Sequence, residues 1–519
     1  MQIQELIQQD FGTLSDLIRA HAQLQPAHPA IVLDDEMLDY CSLDAQMDQV
    51  AASLQREGLV KGDVIAICAK TSLNYACMFL GALRAGVTVA PLAPDSTADG
   101  LARMVADSGA SIFFIDQGMS SSALALVLET PLLCVALDDS ALGIPFSNWL
   151  AHADTKPLPV MVDADSAFNI IYSSGTTGIP KGIVMPHAFR WAQIKLFQSL
   201  GYGPEAVTMV SIPLYSNMTL SSFLPSLGMG CKVVLMSKFD PKNYLQLSEK
   251  HRVTHSMMVP VQYQRIMDFE DFNRYDLSSF RMKSCGSAPF SAALKADILR
   301  RWPGELIEYY GMTEGGVVCI LNTRLFPNKL HTVGQPASGH DLRVIDDAGQ
   351  ELPRGSVGEV VGHSGTMMTG YHNLPEKTAE AEWFDFQGLR FIRSGDVGRV
   401  DEEGFLTLLD RKKDMIISGG FNVYPSDLET LILQHPDVSE VAVVGVTSER
   451  WGETPVAFVV RRPQATVSSE ELQIWANQRL NKAQRISMIE WVDHMPRNDI
   501  GKVLKRSLRA SWLAAGKVN

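Results

Sequence analysis

The sequence predicts an α/β protein with a large N-terminal domain and a small α+β C-terminal domain, and three observations predict it. Short apolar β-branched runs alternate with longer stretches of helical period through the first three hundred residues. From about residue 330 to 410 the texture changes to strands joined by tight turns, with little helix between them. After a charged cluster at Asp410 to Lys413, helix and strand signals return together. The first pattern belongs to parallel sheets wrapped by helices, the second to a smaller, mostly antiparallel unit.

In chain order, VIAIC at 64–68 reads as a buried strand, 73–85 as a helix and VTVAPL at 87–92 as the next strand. Tyr75 to Leu83 is the longest apolar stretch and Arg84 closes it. At about half the ~20 residues of a bilayer crossing, it predicts a buried helix rather than a transmembrane segment. LRVID, GEVVGH, FIRSGDVGRV and GFLTLLD supply the antiparallel unit. Beyond DRKKDMIISGG at 410–420, PSDLETLILQH opens a helix, VAVVGV and VAFVVRR follow as strands, and SSEELQIWANQRL as a second helix. That tail is long enough to be a small domain, so the boundary is expected between 1–410 and 411–519.

A chain of 519 residues exceeds one hydrophobic core; at roughly 150 residues per domain it holds about three units. Hydrophobic content of 46% with 20% charged residues excludes bulk disorder. A net charge of -13 repels polyanions, which argues against nucleic acid as the main partner. The start, MQIQELIQQDFG, has no basic head before an apolar run and does not read as a signal peptide, so the cytoplasm is the expected location. The seven cysteines, at 41, 68, 77, 134, 231, 285 and 319, are scattered without CxxC, and most read as small core residues. HRVTH pairs His251 with His255 at helical spacing but lacks the glutamate of a zinc helix, so no metal is expected there.

Four segments carry chemistry. YSSGTTGIPKG, 172–182, follows the strand-like AFNII. Its glycines permit unusual dihedrals, while its hydroxyls and Lys181 suit a polyphosphate, or else it is a flexible Ser/Gly turn. It is not a Walker loop, because Pro-Lys-Gly stands where Gly-Lys-Ser or Gly-Lys-Thr is needed. EYYGMTEGG, 308–316, offers Tyr310 for stacking, Thr313 for a phosphate and Glu314 for a divalent ion, or is a strand end with a polar turn. In FIRSGDVGRV, Asp396 can accept both hydroxyls of a ribose and Arg411 can donate nearby, or Asp396 is a turn former. In MPRNDIGKVLKRSLR, Lys502 follows Gly501; the plain alternative is a solvated basic tail.

Together and in this order, the four resemble the adenylate-forming (ANL) superfamily of acyl-CoA synthetases, carrier-protein adenylation domains and beetle luciferases, over about residues 14 to 510. The resemblance implies an N-terminal AMP-binding domain of two stacked α/β subdomains and a small β-barrel-like subdomain, hinged to a mobile C-terminal domain. It implies ATP, Mg2+ and coenzyme A as the small molecules used, and a carboxylic acid as substrate. Residue by residue, it assigns Ser173, Ser174, Gly175, Thr176, Thr177, Gly178 and Lys181 to the ATP phosphates, and Gly286, Ser287 and Ala288 to the adenine with Tyr310 against its ring. Gly311 and Met312 continue that nucleotide segment; Thr313 meets the α-phosphate, Glu314 the magnesium, Asp396 and Arg411 the ribose. Lys502 is the adenylation lysine, Lys413 the hinge, and Gly419, Gly420 and Phe421 border the pantetheine tunnel. Tyr215, Ser216, Val259, Gly286 and Gly311 are assigned to the acyl pocket. Ser216 departs from the histidine many acyl-CoA synthetases have after the aromatic, which bears on gating of that pocket.

The segments 214–227 and 256–264 are rich in Met, Leu, Phe, Tyr and Val and contain no Asp, Lys or Arg. An apolar fatty or aryl acid therefore fits better than an amino acid, whose ammonium wants a buried carboxylate. An acid–CoA ligase is the leading reading. A ligase that loads a carrier protein, a non-catalytic nucleotide-binding protein and a luciferase-like oxygenase are the alternatives, and oligomeric state is not legible.

Overall fold

Alternate residues of the strand Val64–Cys68 feed two different cores: Ile65 and Ile67 pack into one, Ala66 and Cys68 into another. A strand buried on both faces must be apolar throughout, which is why VIAIC shows no polar alternation. The computed structural model describes residues 3–119, 132–173, 181–418, 421–448, 450–497 and 501–515. Two compact units emerge, one of Met1–His331, Pro336–Asp341 and Gly362–Ile392, the other of Thr332–Gln335, Leu342–Val361 and Arg393–Asn519.

The first unit holds two large sheets. In the eight-stranded one, Gly370–Tyr371, Lys181–Pro186, Ala167–Ser173, Thr88–Leu92, Val64–Cys68, Ile112–Ile115, Leu133–Ala136 and Ile144–Pro145 lie side by side in that order. In the nine-stranded one, the parallel strands Glu305–Tyr310, Met282–Gly286, His255–Met258, Val207–Val210, Lys232–Leu235 and Pro29–Leu33 form the centre. Residues of both sheets join one core with the helices Leu14–Leu24, Tyr40–Arg56, Leu73–Arg84 and Asn217–Gly228. The α/β class and the two stacked subdomains expected from the sequence are present.

The helix Leu73–Arg84 starts where the Ser72 hydroxyl accepts from the Tyr75 N–H, and it buries every residue from Tyr75 to Leu83. Arg84 at its end turns back to Asp44 and Asp48 on the helix Tyr40–Arg56. No helix among the described residues is long and apolar enough to cross a membrane.

In the second unit the antiparallel texture appears as Asp341–Ile345, Val357–His363 and Arg390–Val400, with Leu406–Arg411 also paired to the last. The long hairpin Val438–Ser448 and Gly452–Arg461 follows. One of its faces packs on the helices Pro425–Ile432 and Ser469–Asn477, the other on Lys505–Ala514, again with alternate strand residues sorted between two cores.

Candidate nucleotide and acyl site

In the first unit the expected phosphate-loop residues Ser174, Gly175, Thr176, Thr177 and Gly178 lie outside the described residues. The strands that bracket them are antiparallel partners, with Ser173 opposite Lys181 and Tyr172 opposite Gly182. A Cβ on Gly182 would stand 2.8 Å from Ile170 Cγ2 and 3.2 Å from His372 Cβ, so this glycine lets the strand Gly370–Tyr371 lie close. The Lys181 ammonium rests 4.8 Å from the centre of the Tyr371 ring, and the Tyr371 hydroxyl donates to Glu314 Oε1 at 2.9 Å. Sequence reading missed Tyr371. The Gly-Tyr of MTGYHNLPE, a small residue before an aromatic at a short strand, was the available signal.

The residues expected at the adenine sit at the ends of two adjacent parallel strands, with Gly286 in register with Tyr309. A Cβ on Gly286 would be 2.9 Å from the Tyr309 carbonyl oxygen. Ser287 follows with φ +69, a left-handed conformation uncommon outside glycine, and its hydroxyl contacts Met218 Sδ at 3.2 Å. Ala288 is half-buried in the same turn. From Tyr310 the chain runs through Gly311, Met312 and Thr313 into a turn closed by the Gly315 N–H on the Met312 carbonyl, 3.1 Å. The Glu314 carbonyl accepts from the Met368 N–H at 2.8 Å. Gly315 and Gly316 both have positive φ, and a Cβ on them would lie 2.0 Å and 2.8 Å from the carbonyl oxygens of Thr366 and Gly362.

Of the residues expected around the acid, Ser216 is buried and precedes the helix Asn217–Gly228, Tyr215 is half-buried, and Val259 is buried ahead of the helix Pro260–Met267. The segments themselves are uncharged, yet a charge reaches the first of them, at Asn217, from elsewhere. Arg190, buried on the helix His187–Phe197, donates to Asn217 Oδ1 at 2.7 Å, Asn169 Oδ1 at 3.2 Å and Gln193 Oε1 at 2.9 Å. Burial lowers its guanidinium pKa to about 9, so the group is still charged at neutral pH. Sequence reading missed it, because nothing in HAFRWAQ marks which way the arginine turns.

In the second unit, Asp396 and Arg411 are cross-strand partners joined by an ion pair of 3.1 Å. The Ser394 hydroxyl accepts from the Asp396 N–H at 2.9 Å and donates to the Val360 carbonyl at 2.7 Å, which fixes the Ser-Gly-Asp stretch within the strand Arg390–Val400. Lys502 lies in a segment pinned by the Arg497–Gly501 and Leu504–Pro496 hydrogen bonds, just before the helix Lys505–Ala514. Burial lowers its pKa, as do Arg411 and Lys413, while Asp396 and Asp414 oppose the shift. Lys413, in the turn after Arg411, is lowered for the same first reason. Three residues after Lys502, Lys505 pairs with Glu429 at 2.8 Å. Phe421 is exposed; Gly419 and Gly420 lie outside the described residues.

Residues 18–372 match the family described as AMP-binding enzyme, and 427–502 match the AMP-binding enzyme C-terminal domain. The chain belongs to the AMP-binding enzyme family. Among similar relatives within that family, a fatty acid–[acyl-carrier-protein] ligase, ScoC, of Streptomyces coeruleorubidus is 32% identical over 98% of each chain. A feruloyl-CoA synthase of an Amycolatopsis species is 32% identical over 94% of this chain and 96% of its own. Among solved structures, ATP-bound MatB from Rhodopseudomonas palustris superposes with a TM-score of 0.84 at 28% identity, covering 98% of this chain and all of that one. The resemblance to adenylate-forming enzymes drawn from four motifs therefore extends over nearly the whole chain of this AMP-binding enzyme.

Proposed function

We propose that this protein is an ATP-dependent carboxylic acid–CoA ligase that makes an acyl adenylate and then an acyl-CoA thioester, with an apolar fatty or aryl acid as substrate. The observation that carries the reading is the cluster in the second unit: Asp396, Arg411 and Lys502, far apart in sequence, share one electrostatic neighbourhood. A structural role for Lys502 alone would not require a ribose-type carboxylate and a second cation beside it.

A carboxylate resists thiol attack because its oxygen leaves poorly and its charge repels the nucleophile. Joining that oxygen to the α-phosphorus of ATP, with release of pyrophosphate, converts it into a good leaving group. In this first step Lys502, Lys181, Thr313 and the hydroxyl-rich loop 173–178 offset negative charge gathering at the α-phosphate. Asp396 accepts from the ribose hydroxyls, and Tyr310 with Gly286, Ser287 and Ala288 holds the base. Glu314 suits Mg2+. Tyr371 occupies one of its oxygens, and among the described residues no group of three or more His, Cys, Asp or Glu could cage a metal alone. A lone carboxylate is how Mg2+ is held beside substrate phosphates. When bound, the ion supplies further neutralisation of phosphate charge.

The thioester step needs a pantetheine arm where the phosphates were. The segment 411–519 turning about Lys413 would withdraw Lys502 and bring Gly419, Gly420 and Phe421 to the tunnel, so that one acyl pocket serves both reactions. The test is pyrophosphate release across carboxylic acids of graded length and aromaticity, followed by thioester formation with CoA.

One specific observation supports a second reading: the fatty acid–[acyl-carrier-protein] ligase is similar over the full length. If acyl-carrier protein is acylated and CoA is not, the acceptor is the carrier. If no acid elicits pyrophosphate release, the non-catalytic alternative stands instead.

A further inference from the structure

Tyr371 has two partners on different segments of the first unit, and both are charged. Its hydroxyl donates to Glu314 Oε1 at 2.9 Å while its ring face carries the Lys181 ammonium at 4.8 Å from the centroid. The placement is built into the backbone. Tyr371 pairs with Ile183 two residues beyond Lys181, the His372 N–H donates to the Gly182 carbonyl at 2.7 Å, and the Thr378 hydroxyl accepts from the Tyr371 N–H at 2.9 Å. Among the described residues Lys181 and Glu314 form no ion pair with each other, although the Tyr371 side chain contacts both, one through its ring face and the other through its hydroxyl. A flexible lysine beside a carboxylate in a partly buried site will ordinarily close into a salt bridge, which would cancel the two charges that a metal-bound triphosphate needs separately. The Tyr371 side chain gives each charge a partner of its own, the ring face for the ammonium and the hydroxyl for the carboxylate.

We propose that Tyr371 is a positioning residue for the adenylation step: it presents the free oxygen of Glu314 toward the metal side of the triphosphate and holds Lys181 apart from it. The inference rests on the reading of Glu314 and Lys181 as nucleotide-binding groups and adds the residue that keeps them distinct.

The experiment measures ATP binding by calorimetry on the full chain without acid substrate, once with magnesium chloride and once with EDTA. Tyr371→Phe keeps the ring and removes the donor, so it should weaken ATP binding about tenfold in magnesium, as loss of a group that orients a metal ligand does, and leave binding in EDTA unchanged. Tyr371→Leu removes the ring as well and should weaken binding in both conditions. In a Glu314→Gln background Tyr371→Phe should add nothing, since its effect passes through that carboxylate. Wild-type magnesium dependence in Tyr371→Phe, or an equal loss with and without magnesium, would overturn the positioning role. If the unsubstituted protein binds ATP identically with and without magnesium, the reading of Glu314 itself fails and takes this inference with it.

Discussion

Asp396 and Arg411 face each other across two antiparallel strands, Cα partners in register, and close an ion pair of 3.1 Å. The arginine thus holds in place the carboxylate that the proposed function assigns to the ribose. Asp396→Asn removes the charge and keeps the size. It should lower kcat/KM for ATP by roughly 10- to 100-fold, the equivalent of about 1.5–3 kcal/mol for hydrogen bonds to a charged group, with KM for the acid unchanged. Pyrophosphate exchange at varied ATP reads this directly, and an unaltered ATP dependence would remove Asp396 from the nucleotide site.

Lys502 loses its proton more readily than an ordinary lysine because it is buried and has Arg411 and Lys413 nearby. Adenylation should therefore decline on the alkaline side below the usual lysine value of about 10.4. Lys502→Arg, whose charge persists, should shift that decline upward. Lys502→Ala should abolish the limb and add about 3 kcal/mol to the adenylation barrier. Thioester formation from preformed acyl adenylate should be spared, and equal slowing of both steps would refute the division between them.

Lys295 and Glu308 form an ion pair inside the first unit, both nearly inaccessible. Burial pushes the Glu308 carboxyl up to about 7 against the pull of Lys295. Lys295→Met should destabilise the fold by about 3–5 kcal/mol, because one buried charge is left alone. A carboxyl raised above its unfolded value favours folding at low pH and loses that contribution as pH rises through the folded value. The penalty should therefore be larger at pH 8 than at pH 5.5 in urea melts; a pH-independent penalty would contradict it.

His187 and His255 are held neutral by burial, each with its pKa lowered to about 4. An unfolded chain protonates these rings near 6.5, so stability should be complete above that value and fall progressively toward pH 4. His255 bonds the Leu200 carbonyl and the Thr254 hydroxyl. His255→Asn should make the melting temperature less dependent on pH between 7 and 5, at some cost at pH 7. An unchanged slope would show that other groups govern the acid limb.

The fold was legible where burial on both faces forces apolar runs. Ile65, Ala66, Ile67 and Cys68 divide between two cores, and no polar residue survives either. The helix after them was legible from its unbroken apolar stretch; its Ser72 cap shows only in the structure. In the site, glycine-marked segments were legible because backbone crowding limits what can stand there, as at Gly182 and Gly286. Tyr371 and Arg190 were not. Arg190 is an ordinary residue in its local sequence and Tyr371 is marked there only by the glycine before it; each finds its partners through strand pairing or helix packing, Glu314 for Tyr371, Asn169 and Asn217 for Arg190. Local periodicity carries no information about such distant pairings.

Gly315 and Gly316 make the Glu314 turn intolerant in a way no side chain nearby can relieve, since the obstacles are the main-chain oxygens of Thr366 and Gly362. In a saturation library scored for ATP use these two codons should come back empty of every alternative. Drift toward new acids in this lineage would then have to proceed through other positions, with the Glu314 turn frozen.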